Sequence, residues 1–280
     1  MGRPAVRGRT LLLTLIAMLA FAANSVLCRK ALAQTSLDPA SFTLIRLASG
    51  AVMLGLLARF SGKKGWSAGS WPGAVSLLTY AASFSIAYLW LPAGSGALLL
   101  FGAVQATMIA KALISGERLN KPQWLGLALA LGGLAVLVAP GVAAPDPAGA
   151  ALMLLGGVAW GVYSLLGRAS KEPALAVTAG NFLRATPLAL PLFLLGQGHW
   201  DEAGALYALL SGALASGLGY ALWYAALPGL RASSAASIQL SVPVITALGS
   251  VALLGESISL RLALCSIAVL GGIALVIRKN

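Results

Sequence analysis

Charge and histidine are what this chain of 280 residues has least of. Asp and Glu number 7, His numbers 1, and charged residues make up only 9% of the sequence. A soluble protein needs far more charge to cover its surface. The lone His199 excludes a histidine-based metal cluster and an HExxH site. GxSxG and paired intramembrane aspartates are missing too, so a membrane enzyme lacks its usual tools and no catalytic residue is assigned. Cys28 and Cys265 have no partner pattern, which argues against a structural disulfide and further against metal binding. Asp201 and Glu202 are adjacent and read as a solvated turn capping the segment that follows. Nothing calls for a cofactor.

What is there is apolar. Hydrophobic residues make up 59% of the chain, and the mean hydropathy is +0.89. A helix crossing a hydrocarbon core of about 30 Å needs roughly 20 such residues. Ten stretches qualify: 10–27, 40–58, 71–91, 94–113, 122–139, 148–166, 174–196, 203–226, 231–253 and 260–277. The bilayer has no water for unpaired backbone groups, so segments of this length and apolarity are helices. The chain reads as an all-α integral membrane protein. Residues 1–23 also fit a secretory signal with Ala20-Phe21-Ala22 as a cleavage site. Cleavage would destroy the repeat partner of the sixth stretch, which favours an uncleaved first helix. Pro187 and Pro191 should kink the seventh stretch, and Pro243 the ninth.

The second half repeats the first. Gly116-Glu117 and Gly132-Gly133 return as Gly255-Glu256 and Gly271-Gly272, offset by 139. The run Asn24–Arg29 answers to Tyr163–Arg168 at that offset, and Leu91-Pro92 answers to Leu227-Pro228. Five is odd, so two halves of five helices sit upside down relative to one another, as in many secondary transporters. The division is 1–139, a connector at 140–147, and 148–280. Small residues cluster in the fourth stretch (Gly94, Ser95, Gly96, Ala97) and the ninth (Ala232 to Ser237), where helices should approach closely near the bundle centre.

The net charge of +12 could suggest nucleic acid, but the basic residues are scattered among loops and form no stripe. Their placement reports orientation instead. With a cytoplasmic N-terminus, the inner side takes Arg3, Arg7, Arg9, Arg59, Lys63, Lys64, Lys111, Arg118, Lys121, Arg168, Lys171, Arg231, Arg278 and Lys279. The outer side takes Arg29, Lys30 and Arg261. This positive-inside bias puts both termini in the cytoplasm.

Within the stretches lie aromatics and amides. Tyr80, Phe84 and Tyr88 share one helix face, as do Tyr220, Trp223 and Tyr224, while Trp160 and Tyr163 are three apart. Gln105 and Gln239 sit mid-stretch, and Asn24 lies toward an outer end. A buried amide needs hydrogen-bond partners, so each bonds either a neighbouring helix or a ligand in a wet cavity. The candidate substrate-binding set is Asn24, Tyr80, Tyr88, Gln105, Trp160, Tyr163, Tyr220, Trp223, Tyr224 and Gln239. Arg46 and Arg184 fall inside stretches at near-equivalent places; they snorkel to the interfaces or pair with a substrate carboxylate. Glu117 and Glu256 read as helix starts, where carboxylates are favoured. No carboxylate sits mid-membrane, which argues against a proton carrier.

Ten apolar helices, a five-plus-five inverted repeat, short loops and paired Gly-Glu landmarks resemble the drug/metabolite transporter superfamily, specifically its EamA-type carriers, over 10–277. Asn24–Leu32 and Ser41–Ala51 are similar to its bacterial exporters of aromatic amino acids. The resemblance implies a central cavity lined by helices 1, 3, 4, 6, 8 and 9, which hold the aromatic and amide residues above. It implies a multi-pass protein of the bacterial inner membrane that exports amino acids, aromatic ones preferred. The rivals are a broad drug/metabolite exporter and a non-transporting membrane scaffold. The expected partners are small-molecule substrates and lipid.

Overall fold

A computed structural model describes residues 8–62, 67–196, 198–230 and 232–277, apart from the side chains at 232–234 and 236. Seven basic residues of the orientation count (Arg3, Arg7, Lys63, Lys64, Arg231, Arg278 and Lys279) fall outside the described residues, as do most side chains of the small-residue run that begins at Ala232. The described chain is helical throughout its ordered elements. These are α1 (Gly8–Gln34), α2 (Pro39–Phe60), α3 (Trp71–Ala87), α4 (Ala93–Ile114), α5 (Lys121–Val138), α6 (Pro147–Ala169) and α7 (Ala174–Leu188), followed by α8 (Leu190–Leu195), α9 (Glu202–Leu210), α10 (Gly219–Ala226), α11 (Ala232–Gln239), α12 (Ser241–Leu254) and α13 (Leu260–Ile277). A π-helical stretch, Ser211–Leu218, joins α9 to α10.

Helix starts follow the local chemistry. Asp38 accepts from the Ala40 and Ser41 backbone N–H groups at 2.9 and 3.0 Å. Ser70, Asp146 and Asp201 cap α3, α6 and α9 in the same way, as expected for a residue whose oxygen replaces a missing backbone acceptor. Asn120 and Gln123 form a reciprocal capping box on α5.

Eight helices are long and apolar enough to cross a membrane by length and composition. Two expected stretches are not among them. The third ends early: α3 has 17 residues and closes at Ala87, with Tyr88 tightening into a turn. The seventh is broken into α7 and α8 around Pro187 and Pro191, because each proline removes an N–H donor and crowds the preceding turn. The ninth is broken as well. Pro243 cannot donate to the Gln239 carbonyl, and the chain turns at Leu240 between α11 and α12. Glu117 and Glu256 do not start helices. Each follows a glycine of positive φ, Gly116 at 90° and Gly255 at 69°, that terminates the helix before it.

The packing pairs obey an exchange rule. α5 packs on α13, α2 on α7, and α4 on α12; α3 on α6 is matched by α1 on α10, and α4 on α6 by α1 on α12. Swapping the two sets of five segments leaves this pairing intact. All of these pairs cross between halves, so each half packs largely against the other. Glycine permits close crossings: a Cβ on Gly126 would lie 2.5 Å from the Gly272 carbonyl oxygen. Leu12, Leu19, Leu125, Leu129, Leu264 and Ile267 lie exposed on the outside, an apolar exterior suited to lipid. α1 begins and α13 ends at what is here the near face; α1 ends at the far face.

Candidate functional site

One cavity of about 400 Å³ lies within the bundle. It is lined by Asn24, Tyr80, Gln105, Trp160, Tyr163, Tyr220, Trp223, Tyr224 and Gln239. The tenth sequence candidate, Tyr88, is not on its wall. Tyr88 is fully buried at the end of α3, its ring edge-on to Phe84 with centroids 4.7 Å apart and its hydroxyl 3.3 Å from the Ala93 carbonyl. Phe21, Ser25, Phe101, Met108, Thr178 and Arg168 also line the cavity and were not singled out. Phe21 was legible as the residue one turn before Asn24. Met108 and Thr178 carried no signal distinguishing them from packing.

The amides divide into two kinds. Asn24 is committed: its Nδ2 donates to the Tyr80 hydroxyl at 3.2 Å, and its Oδ1 accepts from Ser211 Oγ at 2.7 Å. Gln105 and Gln239 make no side-chain hydrogen bond among the described residues, yet both face the cavity. Gln239 lies where Pro243 breaks the ninth segment. Among the described residues neither glutamine bonds helix to helix.

The aromatic wall is stacked on itself. Trp160 stacks on Tyr163 at 5.1 Å and on Tyr220 at 5.2 Å, and meets Tyr80 at 4.8 Å. Behind Tyr80 sits Arg46, only 1% exposed. Its Nη2 donates to the Tyr80 hydroxyl at 2.8 Å and its Nε reaches Ser216 Oγ at 3.4 Å. Its guanidinium carbon is 5.0 and 4.9 Å from the Tyr80 and Phe84 ring centroids. Nη1 has no acceptor, and no described carboxylate pairs with this cation. Snorkelling is thus wrong for Arg46; two ring faces take part of a counter-ion's role. Arg184 does reach outward, donating to the Ala68 carbonyl at 2.6 Å.

The Tyr80 hydroxyl oxygen accepts two N–H donors, which leaves its own proton available to the cavity. The carboxylates are elsewhere. Asp38, Asp146 and Asp201 cap helices, while Glu172 and Glu256 accept from the backbone at Gly69 and Ala93. The described residues hold no group of His, Cys, Asp and Glu fit for a metal.

The cavity is open at one end. Its lining runs out through Gly167 and Arg168, both exposed at the near face. Toward the far face it stops at Ser25 and Phe84, one turn short of Arg29 and Tyr88.

A lipid-suited helical bundle with exchange-symmetric packing and one aromatic, polar-tipped cavity has the anatomy of a membrane carrier. The chain belongs to the EamA-like transporter family, whose pattern matches residues 8–139 and again 147–278. An uncharacterized protein of Pseudomonas aeruginosa is 58% identical over 272 residues, covering 96% of this chain and 94% of that one. An uncharacterized transporter of Archaeoglobus fulgidus is 27% identical over 215 residues, covering 74% and 76%. A solved crystal structure of a protein shares the fold at a TM-score of 0.67 and 19% identity, covering 96% of each chain.

Proposed function

We propose that this transporter exports amino acids, aromatic ones preferred, across the bacterial inner membrane by alternating access, with both termini cytoplasmic. The observation that carries the reading is the cavity: aromatic walls with two neutral amides, Gln105 and Gln239, that have no hydrogen-bond partner among the described residues. About 400 Å³ suits a small ligand. Rings accept an apolar side chain, and amides bond the ends of a zwitterion. The buried Arg46 cation behind Tyr80 favours a carboxylate and disfavours cationic drugs. Exchange-symmetric packing supports five-plus-five inverted repeats, and the charge bias in the sequence supports the orientation. With no carboxylate on the cavity wall, transport runs as facilitated diffusion or exchange.

The test is a substrate panel with the purified protein in liposomes. Phe and Trp should move faster than Thr, and all three without an imposed pH gradient. Faster movement of cationic dyes than of Phe would replace the reading with a broad drug exporter. No movement of any compound would favour a scaffold. An obligatory proton flux would overturn the uncoupled mechanism.

A further inference from the structure

The far face is closed by an ion pair whose repeat image is open at the near face. Arg29 Nε lies 2.9 Å from Glu256 Oε1, and the other carboxylate oxygen, Oε2, accepts from the Ala93 N–H at 2.8 Å. Ala93 is the first residue of α4, so Glu256 caps a helix of the opposite half. Arg29 also donates to the Tyr88 and Leu89 carbonyls at 2.8 and 3.0 Å. One cluster thus ties α1, the end of α3, the start of α4 and the loop after α12. A carboxylate at a helix N-terminus and a guanidinium on terminal carbonyls are each favoured electrostatically.

The charged pair and the capped helix start have counterparts at the repeat offset of 139: Arg29 maps to Arg168, Ala93 to Ala232, and Glu256 maps back to Glu117. Ala232 is the first residue of α11, as Ala93 is of α4. Gly116 and Gly255 share the left-handed conformation that aims each glutamate. Yet Glu117 and Arg168 are exposed and make no ion pair among the described residues, and Arg168 lies at the cavity mouth. The tyrosines follow the same asymmetry. Tyr88 is sealed beneath the closed cluster, while Tyr224, its counterpart through the Leu-Pro landmark, lines the cavity.

We propose that Arg29–Glu256 and Arg168–Glu117 are alternating gates. In the state shown, the first is latched and the second released. In the other state Glu117 caps the start of α11, Arg168 pairs with it, and the Arg29–Glu256 cluster opens to bring Tyr88 onto the cavity wall. This rests on the alternating-access reading, but it is tested without substrate.

The experiment places one cysteine on the cavity wall, Val104→Cys, in full-length protein with Cys28 and Cys265 changed to Ser. A membrane-impermeant maleimide is added from either side of oriented vesicles. The parent should react from the near face. Glu256→Gln should raise the far-face rate about fivefold or more, the loss of a charge-assisted bond. Glu117→Gln should do the reverse, lowering any far-face reaction. Glu256→Asp, which keeps a carboxylate for Arg29 and the Ala93 N–H, should retain more of the parent's near-face preference than Glu256→Gln, a graded response that misfolding would not give. The proposal fails if Glu256→Gln and Glu117→Gln shift accessibility in the same direction or leave it unchanged. If the gates respond oppositely but liposomes carry no amino acid, the substrate reading fails and the gate stands.

Discussion

Arg46 and Arg184 lie 138 residues apart at matching places in the two halves, and the fold treats them oppositely. Arg184 reaches the near face and donates to the Ala68 carbonyl from a partly buried site. Arg46 is sealed between two aromatic rings, with no carboxylate partner. The difference comes from the partner each helix meets. The backbone of α2 at Arg46 crosses the π-helical stretch at Gly212, whereas α7 at Gly180 crosses the loop at Ala68. Of two residues at matching places, Arg184 ties a helix to a loop and Arg46 is a buried cation behind Tyr80.

The largest expected effect is at that crossing. A Cβ on Gly212 would land on the Arg46 carbonyl oxygen and the Ser49 hydroxyl, so Gly212→Ala should cost about 3 kcal/mol. The check is the melting temperature in detergent. An unchanged value would mean that α2 and the π-helical stretch do not meet there.

The next test separates the two arginines. A buried ion lacking a counter-ion costs desolvation energy, so Arg46→Met should leave stability unchanged or raise it. It should also weaken Phe binding relative to phenylalaninamide, which lacks the carboxylate. Arg184→Met should lower stability by about 1 kcal/mol through its lost hydrogen bonds and leave that preference unchanged. Equal behaviour of the two variants would erase the distinction.

Much of the fold was legible because apolar length and proline placement act locally. The capped start at Asp201 and the proline breaks in the seventh and ninth segments follow from single residues, whereas the caps at Asp38 and Asp146 were not singled out. Gln105, Trp160 and Tyr220 were singled out by depth and helix face, and the cavity they line was expected only through the family resemblance. Tyr88 was not separable from Tyr80, since both lie on one face and only depth toward the latched end distinguishes them. The mutual stacking of Trp160 with Tyr163 and Tyr220 joins different helices, which no local pattern reports. Trp160 nevertheless lines the cavity, so Trp160→Ala should lower transport of Phe and Trp more than that of Thr. Equal losses for all three would show that Trp160 only braces the wall.

In the proposed transport cycle Gln105 and Gln239 hold the substrate in the cavity. The most direct test of that role is binding of labelled Phe to the purified protein and to the Gln105→Ala/Gln239→Ala double variant, with melting temperatures measured alongside. Each lost hydrogen bond is worth about 0.5–1.5 kcal/mol, so the double variant should bind roughly fivefold to a hundredfold more weakly. Its melting temperature should stay unchanged, because neither amide makes a side-chain hydrogen bond to another helix among the described residues. Undiminished Phe binding with a lowered melting temperature would contradict that role.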